Sequence, residues 1–191
     1  MQQHDPGGRI RVRWPADSTV TARFSACDRY RWELREVWNP RLPLWLFLLM
    51  NPSIAGIRFS DPTVGKTGQI ARYHGAGGQI IANTGAYRST CPAGLLQADD
   101  PIGPENEETI MRCAREAGMV IAAYGQPPAA LRGVGLRLSR RIVAEGIPLH
   151  VFRLSQDGTP MHPLSRGKGF IPIGTVPVPW VPPDGGEACD A

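Results

Sequence analysis

Four polar segments of this chain each follow an apolar run, and between them they hold the side chains able to do chemistry. Asn51 and Ser53 follow the run 44–50, and Asn83, Tyr87 and Arg88 follow 79–82. Tyr124 and Gly125 follow 119–123, while His162, Ser165 and Arg166 come after 149–154. An asparagine side chain offers two donors and an acceptor, a pattern that matches a nucleobase edge. His162 sits in a Pro-bracketed loop, where it could donate to a developing anion or contact a phosphate. A loop histidine is also a common surface residue. Asp61 precedes Pro62 and could orient a water, although capping the helix that opens there explains it equally well.

Several familiar devices are missing. Residues 64–67 read V-G-K-T, the end of a phosphate loop without its first glycine. No G-x-G-x-x-G follows a strand, and there is no G-x-S-x-G elbow. His4, His74, His150 and His162 lack metal-ligand spacing, and Cys27, Cys91, Cys113 and Cys189 form no C-x-x-C pair. Neither a metal nor a cofactor is expected, and scattered reduced thiols suit a cytoplasmic protein.

The 21 Lys and Arg outweigh the 17 Asp and Glu, and nearly all of the basic side is arginine. Arg9, Arg11, Arg13, Arg29, Arg31, Arg35 and Arg41 crowd the first part of the chain. Arginine forks match phosphate, so double-stranded DNA is a permitted partner, and a solvated basic surface is the plain alternative. No apolar run approaches the roughly 20 residues that span a bilayer. The N-terminus lacks a signal pattern, so a cytoplasmic monomer without a membrane partner is expected.

The elements that must position these side chains follow from periodicity. A chain of 191 residues suits one domain. Residues 1–17 read as a basic lead-in, 18–170 as a single α/β catalytic domain, and 171–191 as a Pro/Gly-rich tail that wraps the surface or stays mobile. Within 18–38 an irregular antiparallel pair is expected, with Arg29, Arg31 and Arg35 on a polar face. Parallel strands follow at 44–50, 79–82, 119–123 and 149–154, and helices at about 62–73, 104–117 and 129–144. One face of the last helix carries Arg132, Arg137, Arg140 and Arg141, which favours DNA. The alternation predicts a three-layer fold: a mostly parallel central sheet with helices on both faces. All four parallel strands then end at one edge, where the polar segments converge.

At these residues the chain resembles a known family. M-N-P-S-I-A-G, S-D-P-T, A-N-T-G-A-Y-R-S-T-C-P, P-I-G-P-E-N, A-A-Y-G and G-T-P-M-H-P-L-S look like domain-of-unknown-function family sixteen forty-three, found in bacteria and phages. The resemblance covers roughly 24–170, and the chain departs from the usual pattern at Ile54, Gly56 and 64–67. The order of motifs is also similar to that of the uracil-DNA glycosylase superfamily, although the last loop is shorter and the strict first motif is absent. That likeness implies a uracil-DNA-glycosylase-like fold and a DNA glycosylase that flips out a base, probing modified phage DNA. It further implies that Asn51 or Asp61 positions water, Asn83 reads the base with Tyr87 and Tyr124 beside it, and His162 stabilises the departing base. Leu164 becomes the wedge, and Ser53, Arg88, Ser165, Arg166 and Lys168 hold the DNA backbone. A module that binds a nucleotide or modified base without cleaving it, or an N-glycosidase acting on free nucleosides, stays open beside this reading.

Overall fold

The computed structural model describes residues 10–184, so Arg9, His4 and Cys189 and the outer parts of both termini lie outside the described residues. The apolar run at 44–50 forms β3 (Leu44–Leu49), whose last five residues are all buried. A strand covered on both faces needs such an unbroken run, whereas a half-exposed strand alternates. Beside it β4 (Gly78–Asn83) is buried throughout and pairs in parallel with β3, Leu49 lying opposite Asn83. On the other side β3 pairs in parallel with β5 (Met119–Ala122), which pairs in turn with β6 (Leu149–Val151).

The protein is an α/β fold on a seven-stranded mixed sheet, in the order β1-β2-β4-β3-β5-β6-β7. The expected mostly parallel sheet is parallel only at its centre. The expected antiparallel pair is present as β1 (Thr19–Phe24) and β2 (Arg31–Val37), and β2 also runs antiparallel to β4. At the far edge the Pro-rich segment after residue 170 supplies β7 (Val178–Pro179), antiparallel to β6. Ile171 and Trp180 are buried, so residues 171–184 add an edge strand and core side chains while most of the segment lies exposed along the surface. Proline is tolerated at such an edge because its missing N–H can face outward.

The helices take opposite faces for a topological reason. α1 (Pro62–Tyr73) carries the chain from β3 to β4 in one direction, and α2 (Asn106–Glu116) carries it back across β3 to β5. Right-handed crossovers in opposite directions must use opposite faces of the sheet. Val64, Ile70 and Ala71 of α1 accordingly pack on Trp45, Phe47, Leu49, Ile81 and Ile121. Ile110, Met111 and Ala114 of α2, with Leu138 and Ile142 of α3 (Arg132–Ala144), pack on Leu46, Leu48, Ile80 and Ala122. Each fully buried Leu, Ile or Phe contributes about 1.5–3 kcal/mol. The direction of travel reverses beside β3, and the carboxyl ends of strands at such a point form a crevice.

One expectation about charge fails, and a second is qualified. The arginines of β2 do not form a solvated face: Arg31 is 1% exposed, and Arg35 pairs with Glu116 at 2.6 Å. On α3, three of the four arginines have partners within the fold, while Arg132 is exposed. Arg137 and Arg141 pair at 2.5 Å with Glu107 and Glu108 of α2, and Arg140 donates to the Pro183 carbonyl at 2.8 Å. Helix α2 carries its acids in the first turn, where the dipole prefers them, and there they meet the α3 cations.

Candidate functional site

Where β3 and β4 end against the start of α1, the chain encloses a cavity of about 230 Å³. Leu49, Met50, Asn51 and Ser53 line it from the end of β3, Asn83 from the end of β4, and Asp61, Thr63 and Val64 from α1. Arg31 and His162 complete the lining. A more open groove of about 330 Å³ shares Asn51, Ser53, Asp61, Thr63 and His162 and reaches Ser89, Thr90 and Leu164.

Asp61 is held by local chemistry. It is the N-cap of α1, with extended backbone, and accepts the Val64 N–H at 2.9 Å while Pro62 stands at the first helical position. The capping role read from sequence is therefore present, and it engages Oδ1 only. Oδ2 has no partner among the described residues, which leaves one carboxylate oxygen of a 7%-exposed aspartate beside the cavity. Asn51 is fixed in the opposite sense: Nδ2 donates to the Ser89 carbonyl at 2.5 Å and the Pro52 carbonyl at 3.3 Å, leaving Oδ1 as its remaining function.

Arg31 and Asn83 are coupled. Arg31 donates through Nη1 to the Ala55 carbonyl at 2.8 Å and through Nη2 to Asn83 Oδ1 at 3.0 Å. Its Nε and the Nδ2 of Asn83 are buried without a hydrogen-bond partner. Burial pulls the guanidinium down to about 10; the nearby Asp61 carboxylate opposes that shift and Arg88 adds to it. At neutral pH Arg31 thus remains a cation, buried with no carboxylate in contact. Unpaired buried polar atoms are uncommon, and so is a buried charge whose nearest opposite charge, here Asp61, is not in direct contact. From the other face of β4, Asn106 Nδ2 donates to the Asn83 carbonyl at 2.9 Å and holds the strand end in place.

His162 arrives from the loop after β6. Gly125, at φ +68, follows β5 and lies so close that a Cβ there would meet the His162 Cβ at 2.9 Å. The Gly125 N–H donates to the Pro160 carbonyl at 2.9 Å. The Leu164 N–H donates to His162 Nδ1 at 3.1 Å, so the neutral ring carries its proton on Nε2. Burial pushes the imidazole below its ordinary value, with Asp61 opposing, and the neutral form prevails at neutral pH. Ahead of it, Asp157 accepts from Ser155 Oγ, Gln126 Nε2 and the Thr159 N–H, which hold its carboxyl far below the usual range and tie the loop together.

The remaining sequence-derived residues divide. Ser53 lines both cavity and groove, and Leu164, 41% exposed, lines the groove. Ser165 donates its N–H to the His162 carbonyl at 2.9 Å, while Arg166 and Lys168 are exposed and outside both linings. Tyr124 departs from expectation. It is 2% exposed in the α2–α3 core, its ring is so close to α3 that a Cβ on Gly135 would meet it at 2.8 Å, and burial raises its hydroxyl to about 12. Tyr87 packs edge-on against Tyr30, 5.8 Å between centroids, and does not line the cavity. Arg88 is turned inward, paired with Asp28 at 2.6 Å and over the Phe24 ring at 5.0 Å, rather than offered to phosphate. Arg31 and Thr63 are the polar residues of the cavity lining that sequence reasoning missed, beside the apolar Leu49, Met50 and Val64.

Among the described residues, no group of three His, Cys, Asp or Glu side chains could hold a metal ion, and no helix is long and apolar enough to cross a membrane. Comparison with curated proteins finds no match, and comparison with solved structures finds none either. One family does match, described as "Protein of unknown function (DUF1643)", over residues 31–164. That match opens on Arg31 at the cavity and closes on Leu164 at the groove, and it spans most of the sheet; the chain belongs to this family.

Proposed function

We propose that this protein is a DNA glycosylase that hydrolyses the N-glycosidic bond of a flipped, modified base, with hypermodified phage DNA as its candidate substrate. The observation that carries the reading is one cavity lined by Asn83, whose buried amide donor lacks a partner, and by a capping aspartate with a spare oxygen and a neutral histidine. The cavity has room for one heterocycle, not for a polymer, so a base in DNA has to leave its stack to enter. The order of motifs, similar to that of the uracil-DNA glycosylase superfamily, supports the same reading, as does an α/β fold whose strand ends and helix starts gather polar side chains at one cavity.

In this mechanism Asn83 Nδ2 donates to the base edge. Asp61 Oδ2, with Asn51 Oδ1 beside it, orients a water toward C1′ of the sugar. The C1′–N bond breaks first, building oxocarbenium character on the sugar, and the base departs with the bonding electron pair. His162 Nε2–H donates to that developing anion. A neutral imidazole suits the task, because it shares its Nε2 proton with the anion without first having to become charged in a buried place. The water oxygen then bonds to C1′, its proton passes to Asp61, and the products are an abasic sugar and a free base. Ser53, Ser165 and Arg166 hold the backbone, and Leu164 fills the vacated stack.

The test is an abasic-site assay on unmodified, uracil-containing, hydroxymethylated and glucosylated DNA, followed by alkali. Strand breaks confined to one modified DNA are expected. No breaks in any DNA, alongside measurable DNA binding, would overturn catalysis and leave a base-binding module. A second reading, an N-glycosidase on free nucleosides, draws on the α3 arginines being engaged within the fold. Such an enzyme would release bases without polymeric DNA and without the steep salt dependence of phosphate contacts.

A further inference from the structure

Arg31 has no assigned task in the mechanism above, yet its surroundings are unusual for an arginine. It is a 1%-exposed guanidinium lining the cavity, with a backbone carbonyl and an amide oxygen for partners and no carboxylate in contact. A buried cation of this kind is costly, and replacing it with an apolar side chain would often help stability. A structural role would be met more cheaply by a neutral residue. The amide it touches explains the arrangement. Arginine only donates, so the atom of Asn83 facing Nη2 must be the oxygen, and the amide cannot flip without setting donor against donor. That lock leaves Nδ2, buried and unpartnered, as the hydrogen-bonding atom Asn83 has in reserve.

We propose that Arg31 is the positioning and specificity-determining residue of this cavity: by locking Asn83 as a donor, it selects a base that turns an oxo group, not an amino group, toward Nδ2. An amino group at that place would meet a like donor with a cation behind it. An oxo group meets a donor, and any negative charge it gains is attracted by Arg31 through the amide. A buried donor left without its acceptor discriminates strongly between such isosteres. The inference rests on the nucleobase reading of the cavity and narrows its substrate to the oxo class: 5-hydroxymethyluracil-type bases over 5-hydroxymethylcytosine-type bases.

The experiment measures binding of free bases to the full chain by calorimetry, in pairs that differ at one group: 5-hydroxymethyluracil against 5-hydroxymethylcytosine, and hypoxanthine against adenine. The oxo member of whichever pair binds is expected to bind at least about tenfold more tightly. Arg31→Met, which frees the amide to rotate, should bring that ratio close to one, and Arg31→Lys, which keeps a donor cation, should preserve it. Equal or tighter binding of the amino member to the unaltered protein overturns the proposal, as does failure of both pairs to bind. An unchanged ratio in folded Arg31→Met overturns it too. If Arg31→Met does not fold, the unaltered protein and Arg31→Lys decide. Oxo-selective binding with no abasic sites formed would sink the glycosylase reading and leave this one standing.

Discussion

Strands β2 and β4 carry two buried polar clusters, one toward each end, and the contrast between them is instructive. At the amino end of β4, Gln79 Nε2 donates to Glu36 Oε2 at 2.7 Å and to the Val64 carbonyl at 3.0 Å, and Thr67 Oγ1 donates to Gln79 Oε1 at 2.6 Å. Ser18 and Arg72 meet the other oxygen of Glu36, at 2.7 and 3.6 Å. Everything there is matched. At the carboxyl end, Arg31 and Asn83 retain donors with no partner, and Asp61 and Asn51 retain acceptors. The first cluster is satisfied from within and serves the fold. The second is satisfied only in part, which is what a surface built to meet a ligand requires.

Breaking the open cluster should have the largest effect, on rate. Asp61→Ala should reduce base release by about 10²- to 10⁴-fold and cost about 1 kcal/mol of stability through the lost cap. Asp61→Asn keeps a capping oxygen, so it should lose rate with stability nearly intact; paired single-turnover assays and thermal melts would separate the two. Unaltered activity in both variants would remove Asp61 from the chemistry. Breaking the closed cluster should act on stability instead. Gln79→Ala strands Glu36 Oε2 and should cost about 3 kcal/mol in urea unfolding, with the rate of the remaining folded protein unchanged.

The effect of pH sharpens the comparison. The unfolded imidazole of His162 takes a proton near its ordinary 6.5, while the folded one resists until lower pH. The unfolded state therefore binds more protons in that window, and stability falls as the medium is acidified through it. Base release should fall over the same range, because a proton on Nδ1 opposes the Leu164 N–H it accepts from. Melting temperature and single-turnover rate between pH 7.5 and 5 would check this, and His162→Gln should flatten both differences. The smallest effect belongs to the groove. Leu164→Ala should change stability by less than about 0.5 kcal/mol, since the side chain is exposed, yet slow release from duplex DNA more than from single strands.

The local elements were legible because their causes are local. The apolar run of β3, the Asp61-Pro62 start of α1 and the acids opening α2 each carry their reasons within a few residues. Asn51, Ser53, Asn83 and His162 were legible as residues that follow strands and Asp61 as a helix cap, and they do line one cavity. Arg31 was not. Between Tyr30 and Trp32 it looks like one of several solvated arginines, and only the segment around Ala55 closing over it makes it an interior cation. Tyr124 misled in the opposite direction, since proximity to a strand end says nothing of which face the ring takes.

The sequence by itself determined the alternation of strands and helices, the α1 cap and the set of polar residues that could gather at one edge. The tertiary structure alone decided which of them are charged and buried, which arginines are neutralised by α2, and that the Pro-rich segment becomes an edge strand. Periodicity and capping depend on neighbours along the chain. Burial and ion pairing depend on neighbours across it, and Arg31 meets Asn83, 52 positions further along, only once the chain between them has folded.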